Sequence, residues 1–218
     1  AIAFLLREEL TKAKNYLAKK EEAKKNNEAF EIDIRYDCWE PVFAKKIPLK
    51  AHVHRTDDII TAIRIAKEFD LNMTLDHCSE GHLIADYIKE SGYPAIVGPD
   101  LASRNKIEVQ NAAFKTAGVL QREGVLLTIT TDHPVTLVQS LPICAGLAAK
   151  AGLGVENAYK AMTINAAKII GLDHLIGSLE VGKIANIAIY NGNPMETLTK
   201  TLYTIIDGVV RYDYKKAD

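Results

Sequence analysis

The 218-residue sequence has little cysteine and none of it paired: Cys38, Cys78 and Cys144 are odd in number, far apart and without a CxxC spacing. That pattern excludes a disulfide scaffold and a zinc ribbon, and it fits a reducing, cytoplasmic compartment. An excess of charge is also lacking. Lys plus Arg number 27 against 28 for Asp plus Glu, a net charge of −1, so nothing electrostatic calls for nucleic acid or an anionic membrane as partner. A small polar or neutral molecule is the substrate class this leaves. No apolar run reaches the roughly 18 residues of a membrane span. The charged opening AIAFLLREELTKAKNYLAKKEEAKK is not the pattern of a secretory signal. The first residue is Ala1 and not Met, which fits a processed chain or a piece of a longer one. Repeats and low-complexity tracts are absent.

What is present reads as globular. With 48% hydrophobic and 25% charged residues the composition lies near the globular average, and the chain is long enough to bury a real core. Leu6, Leu10, Ala13 and Leu17 recur with the helical period in the first segment, and AKKEEAKKNNE reads as its solvated end. RYDCWEPVFAKK reads as a short helix interrupted by Pro41. Strands and helices then alternate: IPLKAHV, a helix DDIITAIRIAKEF opened by an acidic cap, LNMTLDH, a helix EGHLIADYIKES, PAIVG, a helix AAFKTAGVLQREG, and VLLTITT. Strands separated by helices predict βαβ units on a parallel sheet. An apolar helix VTLVQSLPICAGLAAKAG and two smaller ones follow. The last forty or so residues change to β-branched runs between Gly and Asn turns, with Asp207-Gly208 a hairpin signal. The expected organisation is a helical lead-in over 1–44, an α/β unit over 45–175, and a small antiparallel segment over 176–218.

In a parallel α/β protein, functional groups collect at the carboxyl edge of the sheet. Three strands end there in chemistry-bearing residues: His52 and His54, Asp76 and His77 with Glu80 and His82 just beyond, and Asp132 with His133. The period of two along a strand puts His52 and His54 on one face. Each has a structural reading when taken alone. A strand-end histidine can be a hydrogen-bonded structural residue, and Asp132 can cap a following helix. Cys78 reads as a buried, inert thiol, because neighbouring strand residues point to opposite faces. Together, imidazoles and a carboxylate form the set that catalytic Zn²⁺ and related divalent ions prefer. Such an ion lowers the pKa of its water from 15.7 to about 7, roughly 12 kcal/mol at about 1.36 kcal/mol per unit, and a carboxylate can then move the proton.

The order KAHVH, LDHCSEGH, LTITTDHP, TINAAKIIGL and GSLEVGKIANIAIYNGNP resembles the second half of the amidohydrolase superfamily, in its imidazolonepropionase-like and prolidase-like branch, over roughly residues 45–214. The resemblance implies a metal-dependent (β/α)₈ TIM-type barrel joined to a small β-sandwich. It implies that His52 is the ligand ending strand five, His77 the one ending strand six, and Asp132 the strand-eight aspartate that contacts metal and moves protons. His54 is assigned a substrate-positioning role, and His82, Glu80 and His133 are placed as pocket neighbours. Members also carry a His-x-His on strand one, which HVH imitates. However, His52 precedes His77 by 25 residues and Asp132 by 80, room for about three further βα units and not seven. The strand-one pair lies nowhere upstream in this sequence. Two family phrases differ here: GKIANI has Asn186 where the pattern has Asp, and TINAA lacks the usual proline.

The fold expected is therefore α/β, a partial barrel of about strands five to eight followed by a few antiparallel strands. The activity expected is hydrolysis of a C–N bond in an amide, cyclic amide or imidazolone-like substrate, with a divalent metal: Zn first, with Fe, Mn or Ni as others. The partners expected are a small-molecule substrate and either the missing N-terminal half or a second copy, because a half-barrel leaves unpaired sheet edges. A catalytically incomplete structural half, or a deaminase on the same scaffold, remains open as an alternative.

Overall fold

The structure is a computed structural model that describes residues 1–216; residues 217 and 218, at the end of the expected 176–218 segment, lie outside the described residues. Helix α1 (Ile2–Asn26) buries Leu10, Ala13 and Ala23, and stops at Asn27, whose left-handed backbone turns its N–H onto the carbonyls of Ala23 and Lys24. The buried stripe is shorter than the periodicity predicts. Leu6 is exposed, together with Ile2, Phe4 and Leu5. RYDCWEPVFAKK forms two single-turn helices, α2 (Ile34–Asp37) and α3 (Glu40–Phe43), in place of one interrupted helix. Pro41 sits in the first turn of α3, where its missing N–H forfeits no helical bond.

From there β1 (Leu49–Val53), α4 (Thr56–Glu68), β2 (Met73–His77), α5 (Ala85–Ser91), β3 (Ala95–Val97), α6 (Lys115–Arg122) and β4 (Leu127–Ile129) alternate as expected. The four strands form a parallel sheet in the order β1-β2-β3-β4. Their ends are in register, Val53 beside His77, His77 beside Val97, and Val97 beside Ile129, so whatever follows each strand emerges at one edge. Val53, Leu75, Ala95, Val97 and Leu127 are buried in the sheet, and α4, which packs on β1, adds Ile59, Ile63 and Ala66 from one helical face to the same core. Each of the Val, Leu and Ile side chains among them, fully buried, stabilises the fold by roughly 1.5–3 kcal/mol.

Two further elements differ from the sequence reading. The helix EGHLIADYIKES starts as a 3₁₀ turn over Gly81–Leu83, and α5 begins only at Ala85. The long apolar helix is broken into a 3₁₀ turn (Val138–Ser140), α7 (Leu141–Ala148) and a π-helical turn (Ala149–Leu153). Pro142 falls in the first turn of α7, where its missing N–H forfeits no helical bond, whereas inside a helix begun at Val135 it would break the ladder. α8 (Val155–Met162) and α9 (Ile164–Ile169) then pack against β4. Their contacts cover part of its outer edge: the Leu127 carbonyl accepts from Asn165 Nδ2 at 3.0 Å, and Thr128 Oγ1 donates to the Ala161 carbonyl at 2.6 Å.

The three strands β5 (Ile187–Tyr190), β6 (Thr201–Ile206) and β7 (Val209–Asp213) form a separate antiparallel sheet. Asp207 and Gly208 both have positive φ, 51° and 74°, the conformation of a two-residue hairpin turn matched to strand twist. Asn186 Oδ1 accepts from the Asp207 N–H at 2.9 Å, so the departure from the family phrase falls on a turn-closing position. Among the described residues no helix is long and apolar enough to cross a membrane.

Candidate metal centre

His52 lies in β1 and His54 follows directly after it, and β2 ends in His77. His52 is paired in register with Asp76, not with His77, so strict alternation would send the His77 ring to the helix side of the sheet. It does not go there because His77 has φ +74°. Histidine adopts this left-handed region more readily than bulky or β-branched residues. The three rings come together, with centroids 4.2 Å apart for His52 and His77, 4.7 Å for His54 and His77, and 4.9 Å for His52 and His54. One ring nitrogen from each lies within 4.8 Å of the others.

Each ring but one is fixed from behind. His77 Nδ1 stands 2.7 Å from the Gly98 carbonyl, in the turn after β3, and His54 Nδ1 stands 2.8 Å from Ser79 Oγ. A carbonyl only accepts, so His77 donates from Nδ1 and leaves Nε2 with a lone pair. The Nε2 atoms of His52 and His54 are 3.0 Å apart. Two donors about 2.0–2.1 Å from a tetrahedral Zn²⁺ stand about 3.3 Å apart, so the spacing fits an ion as well as a shared proton. Burial, then the neighbouring His77 and His52, pulls His54 down to about 4. Near neutral pH it is therefore an uncharged imidazole, the form that binds metal. The donor set fits a divalent ion of the zinc type.

The other expected residues are placed as follows. Asp132 lies outside the three-imidazole group. It is exposed just beyond β4, with a left-handed backbone (φ 49°). Among the described residues its carboxylate accepts no hydrogen bond, and no helix starts on it, so the capping reading is not realised. Asp76 is taken up by an ion pair with Lys50 at 2.8 Å and a bond from Thr74 Oγ1 at 2.9 Å. Glu80 is buried, and its carboxylate accepts from the Thr56 N–H at 2.8 Å and from Asn111 Nδ2 at 2.7 Å. It therefore supplies the cap for α4 that the sequence reading gave to the acidic run. Asp57 and Asp58 stand inside the first turn and make no side-chain cap. Burial pushes the Glu80 carboxyl up, but its two donors outweigh that and hold it below the ordinary range.

His82 Nδ1 lies 3.0 Å from Thr116 Oγ1 on α6, and His133 is exposed. Neither joins the group. Cys78 is fully buried, and desolvation followed by the charge of Asp76 pushes its thiol up to about 12. It is a core residue, as expected, although the left-handed backbone at His77 and Cys78 separates the two side chains rather than strand alternation. Sequence reasoning missed Ser79 and the Gly98 carbonyl. No spacing rule marks a serine two residues after a ligand or a backbone oxygen on the next strand's turn.

A family model described as "Amidohydrolase family" matches residues 36–211. The crystal structure of an amidohydrolase from Thermotoga maritima superposes with a TM-score of 0.93 at 39% identity, over 97% of this chain and 55% of its own. An imidazolonepropionase from Picrophilus torridus is 27% identical over 174 residues, 78% of this chain and 42% of its own. An N-substituted formamide deformylase from Arthrobacter pascens is 25% identical over 187 residues, 72% of this chain and 34% of its own. The chain thus spans about half the length of the solved relative and less than half that of the two curated ones. The likeness implies a TIM-barrel-type α/β fold, to which the parallel sheet contributes.

Proposed function

Since the chain belongs to the amidohydrolase family, we propose that it is the carboxyl-terminal portion of a metal-dependent hydrolase that cleaves a C–N bond in an amide, cyclic amide or imidazolone-like substrate. The observation that carries this reading is the convergence of His52, His54 and His77, with their ring nitrogens within 4.8 Å. The four parallel strands then correspond to strands five to eight of the barrel. A divalent ion held there, with zinc the first choice, would supply an acidified water at neutral pH.

The chain's own residues do the rest. His77 and His54 are held at Nδ1 and present Nε2. His54, expected to orient the substrate carbonyl, is here assigned a third nitrogen of the ligand set, because its Nε2 stands beside that of His52. Asp132 emerges at the same edge of the sheet with a carboxylate that accepts no hydrogen bond among the described residues, which suits it to accept the proton of the attacking water and return it to the leaving nitrogen.

The relatives' extra length and the open flank of β1 support a partner for this half. Beside β1 lies a mostly apolar groove of about 330 Å³, lined by Ile2, Leu6, Leu10, Trp39 and Ala51, with His52 at its wall. The strands that complete the barrel are the occupant this reading assigns to it. In full-length protein, Asp132→Asn is expected to lower kcat by about 10² or more. A rate within about threefold of wild type would overturn the proton-transfer role.

A further inference from the structure

The strongest unexplained feature near the site is a hydroxyl. Ser79 is 6% exposed, belongs to none of the ligand residues, and puts its Oγ 2.8 Å from His54 Nδ1. Its position is not free to drift. The next residue's N–H, that of Glu80, donates to the His54 carbonyl at 2.9 Å, so the 79–80 segment is fastened to His54 at both backbone and side chain. From the other side, Thr116 Oγ1, itself beside His82 Nδ1, reaches the Ser79 carbonyl at 3.4 Å.

The geometry points to Ser79 as a positioning residue: its hydroxyl, able to donate or accept, is assigned here as the acceptor from His54 Nδ1, which fixes the tautomer and tilt of that ring so that Nε2 faces the Nε2 of His52. The inference rests on the metal reading above but makes its own claim about the metal-free chain. An imidazole with two exposed nitrogens samples both tautomers, and only one places a lone pair on Nε2. An outer partner that fixes this choice raises metal affinity by roughly 10- to 100-fold. His77 has such a partner in the Gly98 carbonyl. For His54 the corresponding partner is a side chain, so it can be removed by mutation. Ser79 therefore explains why a second strand-end histidine, one residue past β1, can serve the same centre as the one inside it.

Two readouts on the 218-residue chain test this. In the metal-free protein, nitrogen-15 NMR of the histidine rings is expected to show His54 protonated on Nδ1, a mixed tautomer in Ser79→Ala, and restoration in Ser79→Thr. In chelator competition with Zn²⁺, Ser79→Ala is expected to bind about 10-fold or more weakly, with Ser79→Thr within about threefold of wild type. A thermal melt that stays cooperative in both variants shows that the fold is intact. If wild type and Ser79→Ala share one tautomer and one affinity, the positioning role is wrong while the metal reading survives. If wild type holds no Zn²⁺ yet its His54 tautomer depends on Ser79 as described, the metal reading fails and the positioning role stands.

Discussion

Replacing Gly98 with alanine tests whether the turn after β3 is shaped around the imidazole group. Two costs follow from the structure. The first is conformational: Gly98 has φ +115°, a backbone that side-chain-bearing residues occupy at roughly 1–3 kcal/mol. The second is steric, because an added Cβ would lie 2.5 Å from the Thr130 carbonyl oxygen, a backbone atom that cannot rotate away. Relief requires the ends of β3 and β4 to separate, and they are joined there by the 2.8 Å bond from the Thr130 N–H to the Val97 carbonyl. Overpacking of this kind costs about 1–3 kcal/mol, so the total is about 2–6 kcal/mol. Gly92 is the control, with φ +77° and nothing within 4 Å of an added Cβ; Gly92→Ala should cost only the conformational part, about 1–2 kcal/mol. Urea denaturation followed by circular dichroism measures both. Because the Gly98 carbonyl also holds His77, Gly98→Ala alone should weaken Zn²⁺ binding about 10-fold or more. Equal stability losses in the two variants, with equal metal affinities, would refute the reasoning.

Glu80→Gln is expected to destabilise the chain by about 1.5–3 kcal/mol at pH 7, since a charged acceptor of two hydrogen bonds is lost at the start of α4. Its folded carboxyl is held below the ordinary 4.5, so this contribution is present above that value and fades as the pH falls below it, and the gap between wild type and variant should close in acid melts. Asp100 behaves oppositely: burial pushes it up to about 6, against the pull of Arg104. Its ionisation therefore costs stability as pH rises through about 4 to 6. Asp100→Asn should stabilise at pH 8 by up to about 3 kcal/mol and have little effect near pH 4, read by Tm against pH. Among the cysteines, Cys38 is exposed while Cys78 and Cys144 are buried. A thiol reagent at pH 8 should label one site in the native chain and three after denaturation.

The alternation of strands and helices was legible because the strands are short apolar runs ending in polar residues, and the hairpin because Asp-Gly names its own turn. The convergence of strand-end histidines at one edge was legible for the same reason. Helix limits were not. Pro142 moved the start of α7, and Leu6 stayed exposed because the flank of β1 it would pack toward is open. The centre was read in part. The rings of His52 and His77 stand in one group, with His54 and without Asp132, but the left-handed backbone at His77 has no sequence signature beyond the tolerance of histidine for it. That backbone brings the His77 ring onto the side where His54 already stands. Glu80 read as a pocket residue because it stands between His77 and His82 in DHCSEGH, just past a strand end; its partners, Thr56 and Asn111, lie 24 and 31 residues away and show it clamping the start of α4.

The central claim is that His52, His54 and His77 form one metal-binding set. Titration of the metal-free chain with Co²⁺, followed by its visible absorption, tests it most directly. The account predicts saturation at one ion per chain and a loss of about 10-fold or more in affinity for His52→Ala, His54→Ala and His77→Ala taken singly. Absence of binding by the wild-type chain, or binding that all three substitutions leave unchanged, would contradict it.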